Sequence, residues 1–193
     1  MSESRPWRLP VPELFWSEYH NAPFEHCVDC ECRLDDAELY LIQRSFVGTE
    51  PVFEFAICRQ CHESMSDQCS KETGQAVMQF MQKCLLKRAA EIQELTTATE
   101  AFHKCVDECV SCSKPRNECH RYGIGGLCVA DQLIIEVSFL ARSPVMICHN
   151  CEMSISNLVS KKTRETWNRF VEDNFDGPPG VGLDLPTGAP MLL

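Results

Sequence analysis

No run of the sequence approaches the roughly 20 apolar residues a membrane span requires, and the first twelve residues, Met1 to Pro12, lack the apolar core of a secretory signal. Both absences lead to the expectation of a soluble, cytoplasmic protein. Positive charge is scarce as well. Lys and Arg number 18 against 28 Asp and Glu, a net charge of -10, which is the wrong sign for a general polyanion binder. With 44% hydrophobic and 24% charged residues in a chain of 193, the composition excludes collagen-like, coiled-coil and wholly disordered classes. It fits one ordinary domain, or two small ones packed together.

What the chain does have is cysteine, 14 in all. A secreted chain could tie these into seven disulfides, but a reducing cytosol does not keep such bridges, so metal thiolates are the better reading. Chance placement of 14 cysteines would give about one C-x-x-C pair. Four are present: Cys27/Cys30, Cys58/Cys61, Cys109/Cys112 and Cys148/Cys151. A C-x-x-C turn aims two sulfurs at one ion, and two such turns complete a closed four-cysteine site, a preferred structural coordination of zinc. Four turns predict two zinc ions per chain.

An internal repeat sorts the cysteines. An offset of 90 residues matches Ile57, Cys58, Cys61, Ser64 and Ser66 with Ile147, Cys148, Cys151, Ser154 and Ser156. It continues through Ser70, Lys71, Thr73 and Phe80, paired with Ser160, Lys161, Thr163 and Phe170. An offset of 82 pairs Cys27, Val28 and Cys30 with Cys109, Val110 and Cys112. Between them, an offset of 93 pairs Ala37, Ile42, Ser45 and Phe46 with Ala130, Ile135, Ser138 and Phe139. The chain therefore reads as a tandem duplication, with extra residues in the second copy around Asn117 to Cys128. All eight C-x-x-C sulfurs recur. Cys32, Cys69, Cys84 and Cys105 face Lys114, Val159, Asn174 and Pro23, while Cys119 and Cys128 fall in the extra segment. Those six read as small buried hydrophobes or surface thiols. The alternative is a third site built from Cys105, Cys119, His120 and Cys128.

The expected organisation is an N-terminal arm (1–23), a first zinc module with a long helix and linker (24–105), a second module (106–175) and a disordered Pro/Gly-rich tail (176–193). Each module shows β-type runs between its cysteine pairs: Leu39–Phe46 and Val52–Ile57, then Leu133–Leu140 and Pro144–Ile147, with turns at Gly48 and at Arg142-Ser143. A helical stripe follows each second pair. In the first copy it runs without a break from Met65 to Leu95, roughly 50 Å of helix; in the second it runs from Ile155 to Val171. The arm's Leu14, Phe15, Trp16 and Tyr19 are expected to lie on the domain.

The order of knuckle, hairpin and a second C-x-x-C at a helix start resembles the treble-clef and zinc-ribbon class of four-cysteine zinc fingers, over about 50 residues of each copy. The resemblance implies an α+β fold of two tandem zinc modules with their long helices packed together. Family knuckles usually carry Gly after the second cysteine, whereas Glu31, His62, Ser113 and Glu152 stand there in this chain.

Four thiolates leave no open position on a metal, which disfavours catalysis. Iron in a rubredoxin-like site uses the same spacing. Thioredoxin-type exchange would not need two motifs per copy. The six histidines sit in no catalytic motif, and Gly123-Ile124-Gly125-Gly126 reads as a turn because no Lys-Ser/Thr follows it. Nucleic-acid binding through Lys161, Lys162, Arg164 and Arg169 is opposed by the charge balance, since residues 24–95 carry 13 acidic and 7 basic side chains. The expectation is a non-enzymatic protein-interaction or regulatory module with a protein partner, monomeric rather than homodimeric. A nucleic-acid binder and a redox- or metal-responsive thiol switch are the alternatives.

Overall fold

The computed structural model describes residues 7–135 and 144–175. It shows an α+β protein built on one antiparallel sheet. The elements are β1 (Trp7–Pro10), β2 (Tyr40–Val47), β3 (Glu50–Cys58), α1 (Arg59–Gln68), α2 (Lys71–Gln93) and α3 (Ala98–Val106), then β4 (Arg121–Val129), β5 (Gln132–Ile135), β6 (Val145–Cys148), α4 (His149–Ser156) and α5 (Lys161–Asn174). The strand order is β1-β5-β4-β2-β3, with β6 also paired to β4.

The duplication appears as a pseudo-dyad. Strands β2 and β4 pair antiparallel from Tyr40 opposite Cys128 to Val47 opposite Arg121, with Gln43 opposite Gly125. The offset of 82 carries Gln43 onto Gly125, so this pair is its own image and the axis passes through it. The two copies thus share one sheet, and β2 of the first copy corresponds to β4 of the second.

That correspondence corrects the reading of the extra segment. The strand β4 lies within the stretch assigned as an insertion, and the offset of 82 persists through it. Tyr40 corresponds to Tyr122, and Gly48 (φ 62°) to Ala130 (φ 50°), each opening a two-residue turn in the left-handed region. The second hairpin is therefore β4–β5, not the one expected from Leu133–Leu140 and Pro144–Ile147. Strand β5 pairs with the end of β4 through Cys128/Leu133, and β6 pairs with its beginning through Tyr122/Cys148. Together they replace the single strand β3. The change of offset from 82 to 90 falls between them, so the additional residues lie there. The expected turn at Arg142-Ser143 and the matches to Ser138 and Phe139 fall outside the described residues, as does the tail 176–193.

The glycines of β4 misled because composition alone reads them as a turn. At Gly126 the use is close packing. A Cβ on Gly126 would lie 2.7 Å from Leu133 Cδ1 and 2.8 Å from the Phe15 ring. Phe15 itself has no exposed surface. The arm is held there by β1, which pairs Trp7 with Ile135 through Pro10 with Gln132, and by the Val11 N–H, which donates to the Asp131 carbonyl at 2.9 Å. Arg44 of β2, with a side chain only 5% exposed, donates to Glu54 at 2.9 Å and to the Leu14 carbonyl at 2.9 Å. Glu54 in turn accepts from Ser17. A buried guanidinium with both partners in place pins the arm to the sheet.

The expected continuous first helix is broken. Ser70 takes an extended conformation and its hydroxyl accepts from the Thr73 N–H, capping α2. Ser160 and Thr163 repeat this cap at α5. A serine whose oxygen satisfies an orphan N–H starts a new helix more readily than it continues the old one. The presumed linker after Leu95 is also helical, as α3, opened by a capping box between Thr97 and Glu100.

The two sheet faces bury different material. Phe53 and Phe55 of β3 pack on Trp167 and Phe170 of α5. On the opposite face Phe15 meets Phe102 of α3, and Phe46 stacks on Tyr122. The second half of α2 leaves its own copy and docks on the other. Ile92 is 1% exposed, and buried Arg88 donates to the Lys104 and Cys109 carbonyls at 2.8 and 3.4 Å.

Candidate metal centre

Two clusters of four sulfurs form, Cys27/Cys30/Cys58/Cys61 and Cys109/Cys112/Cys148/Cys151, each with its ligand atoms within 4.8 Å of one another. Local backbone geometry places them. In the first knuckle the Glu31 N–H donates to the Cys27 carbonyl at 3.0 Å and the Cys27 N–H to the Cys32 carbonyl at 2.9 Å. In the second, Ser113 and Cys109 make the matching bonds, both at 2.8 Å. This turn needs a positive φ after its second cysteine. Glu31 and Ser113 adopt it, at 57° and 59°.

The other two ligands come from a helix start. Cys58 and Cys148 are the N-caps of α1 and α4, and Cys61 and Cys151 lie in the first turns. The unpaired N–H groups there, at the positive end of the helix dipole, favour thiolates. Cys58 N–H donates to Cys27 Sγ at 3.3 Å and Cys148 N–H to Cys109 Sγ at 3.4 Å. Knuckle and sheet are tied by matching bonds, Val28 N–H to the Ala56 carbonyl and Val110 N–H to the Met146 carbonyl.

The spacing tests the fit to a metal. Cys30 and Cys58 sulfurs are 3.8 Å apart, and those of Cys112 and Cys148 are 3.7 Å apart. A tetrahedral ion with bonds of about 2.3 Å to sulfur sets its ligands about 3.8 Å apart, far beyond the ~2.05 Å of a disulfide. Both sites show one burial pattern: Cys27, Cys58, Cys109 and Cys148 are buried, Cys61 and Cys151 half-buried, Cys30 and Cys112 exposed. Each set could hold one metal ion.

Electrostatics within the metal-free clusters are uneven. Burial pushes Cys148 up to about 11 and raises Cys27, Cys61 and Cys151 as well. A hydrogen bond from the Cys32 backbone brings Cys30 down to about 7. Cys112 is also lowered: burial, which raises it, is outweighed by the Lys114 backbone hydrogen bond and by neighbouring sulfurs. The four raised thiols hold their protons at neutral pH until a cation displaces them.

The remaining cysteines take no part in these clusters. Cys69 donates to the Met65 carbonyl and Cys119 to the Pro115 carbonyl. Cys105 is buried on α3, Cys128 is buried beside Tyr40, and Cys84 is half-buried near Ser111. The alternative third site is not assembled: among the described residues, only the two expected sets bring three or more ligand atoms together. Cys32, two residues after Cys30, is exposed.

Histidines stay outside the clusters. His149 Nδ1 lies 3.7 Å from Glu152, an acid that burial pushes up to about 7. On α5 the cations are exposed, but Lys161 pairs with Glu165 at 3.6 Å and Arg164 donates to the Ser156 carbonyl at 2.9 Å. Arg169 lies near Asp29 and Asp173 in a small cleft beside Cys61. No protein-family model, curated protein or solved structure matches this chain. No helix of the described residues is long and apolar enough to cross a membrane.

Proposed function

We propose that this chain is a non-enzymatic protein-interaction or regulatory module whose fold is held by two structural zinc ions, each in a treble-clef-like unit of knuckle, hairpin and helix. The observation that carries this reading is the pair of closed four-sulfur clusters. Four thiolates fill a tetrahedral ion and leave no position for water or substrate, so the ion's work is structural. In small fingers such an ion supplies on the order of 10–16 kcal/mol of apparent binding free energy, which acts as folding free energy. Free thiols in these numbers suit a reducing compartment such as the cytoplasm.

A protein partner suits the acidic surface better than a nucleic acid does. The basic residues of α5 are interleaved with Glu165 and Asp173, and two of them are already engaged, which weakens the nucleic-acid reading. A monomer is favoured by the way the second half of α2 is covered within its own chain. Elemental analysis of protein purified without chelator tests the core of the proposal. Two zinc ions per chain support it; one ion, three ions or iron refute it. Affinity capture with mass spectrometry then identifies the partner.

A further inference from the structure

The side of α2 that carries Thr73, Val77, Arg88 and Ile92 is buried, but the opposite side is not a plain solvated face. Two adjacent rows run along it with a spacing of four residues, the ridges by which helices pack on one another. One row holds Met78, Gln82, Leu86 and Ala90, the other Gln79, Lys83 and Lys87. Met78 is 61% and Leu86 50% exposed. Both lysines are exposed, Lys87 donating to Ser113 Oγ at 3.1 Å, and among the described residues the ion pairs of α2 involve only Arg88 and Glu91. No acidic residue occurs from Thr73 to Ala90, in a chain of net charge -10. The repeat shows that the fold does not require this surface. On α5 the offset of 90 puts exposed Asn168 in the place of Met78, Glu172 in that of Gln82 and Asp173 in that of Lys83.

We propose that this side of α2 is a docking site for an amphipathic helix of a partner protein, its apolar row seated along Met78, Leu86 and Ala90 and its Asp or Glu residues facing Lys83 and Lys87. The inference deepens the reading of the chain as an interaction module and rests on it. From Met78 to Ala90 the surface runs roughly 18 Å, which matches about three turns of a partner helix. Charge selects the occupant. A second copy laid on the same face would set lysine against lysine, with no acid in the stretch to answer them. The exposed side of α5, with Glu165, Asn168 and Glu172, would bring acids but no apolar row. An anionic membrane surface would answer the lysines but is opposed by the net charge of the chain. A separate helix with an acidic flank answers both rows.

The probe is a synthetic helical peptide of about 15 residues, built of leucine, alanine and glutamate, with leucines three and four apart and glutamates beside them. A version with lysine for glutamate and a scrambled sequence of the same composition are the controls, and the full zinc-loaded chain is titrated with each by fluorescence anisotropy. The acidic peptide is expected to bind about tenfold tighter than either control. Lys83→Glu with Lys87→Glu reverses the preference between the acidic and basic peptides, and Leu86→Gln weakens the acidic one about fivefold. Zinc content and circular dichroism of these variants stay as in the wild type, since the substituted side chains are exposed. Absence of binding, equal binding of the scrambled peptide, or a preference that survives the double lysine variant would each overturn the proposal. So would self-association of the wild type in sedimentation that Leu86→Gln abolishes, or binding to phosphatidylserine vesicles that the lysine variant abolishes. If affinity capture recovers a partner that every variant retains, the interaction reading stands and the seat lies elsewhere. A wild type that captures no partner refutes the interaction reading itself.

Discussion

Thr73 and Thr163 exchange hydrogen bonds across the pseudo-dyad: Thr73 Oγ1 accepts from the Ser160 N–H at 2.9 Å, and Thr163 Oγ1 accepts from the Ser70 N–H at 3.0 Å. Each threonine is at most 1% exposed, and each also receives the hydroxyl of its own capping serine, at 3.1 and 3.2 Å. Helices α2 and α5 thus begin at a shared polar knot. The cap of each copy is completed by the other.

Thr73→Val or Thr163→Val keeps the shape but leaves a buried N–H without an acceptor, which costs about 1–3 kcal/mol. The two single variants are expected to lose similar amounts in urea denaturation of the metal-loaded protein. A loss from only one of them would mean that the knot is not shared.

Cys58→Ser in cobalt-substituted protein is expected to lose about half of the thiolate-to-metal absorption, and Cys148→Ser the other half. Each ligand set is local to its copy, and the loops that close it are short. Complete loss from one substitution would show that the clusters are not independent.

Gly126→Ala is expected to destabilise the fold by about 1–3 kcal/mol, because its methyl would press on Phe15 and Leu133 in a filled layer. Gly74→Ala, in α2 with nothing within 4 Å of the new carbon, is expected to stabilise by about 0.5–1 kcal/mol. Thermal or urea unfolding reads both signs.

Zinc affinity is expected to rise with pH. Burial holds Cys148 near 11 and raises Cys27, Cys61 and Cys151 in the metal-free chain, so binding must displace protons at neutral pH. In the metal-bound state these thiol pKa values are depressed. The stability contributed by the ion is therefore present above the depressed values and lost as pH falls through them. Calorimetry in buffers of different ionisation enthalpy should count more than one proton released per ion at pH 7.

Ile92→Ala is expected to cost about 2–5 kcal/mol, since its side chain near the end of α2 is 1% exposed. Leu86→Ala, half exposed on the same helix, should change stability by less than about 0.5 kcal/mol. Equal effects would place the contact face of α2 elsewhere.

The two four-cysteine sets were legible in the sequence because C-x-x-C spacing is a local signal and the repeat supplied its own comparison. The strand pairing was less so. Gly123, Gly125 and Gly126 form a central strand only because β2 and β6 flank it and Phe15 fills the space above Gly126, and those neighbours are remote in sequence. The helix break at Ser70 was visible in principle, since a serine three residues before a threonine in both copies is a capping pattern. An uninterrupted apolar stripe outweighed it. The capping box at Thr97 was likewise readable, but the short segment around it lacked a strong period.

Covalent fusion changes what mutation can do at the axis. In a homodimer, a substitution on the dyad faces its own copy, so a residue is retained there only if it tolerates itself. Once both halves lie on one chain, the partners can specialise. Gln43 now faces Gly125. His62 and Glu152, equivalent and both buried, carry different chemistry in the two halves. The arm completes one side of the sheet alone, over Gly126, whose equivalent is the Arg44 that anchors it. Asymmetry of this kind is open to a single chain and closed to a pair of identical ones.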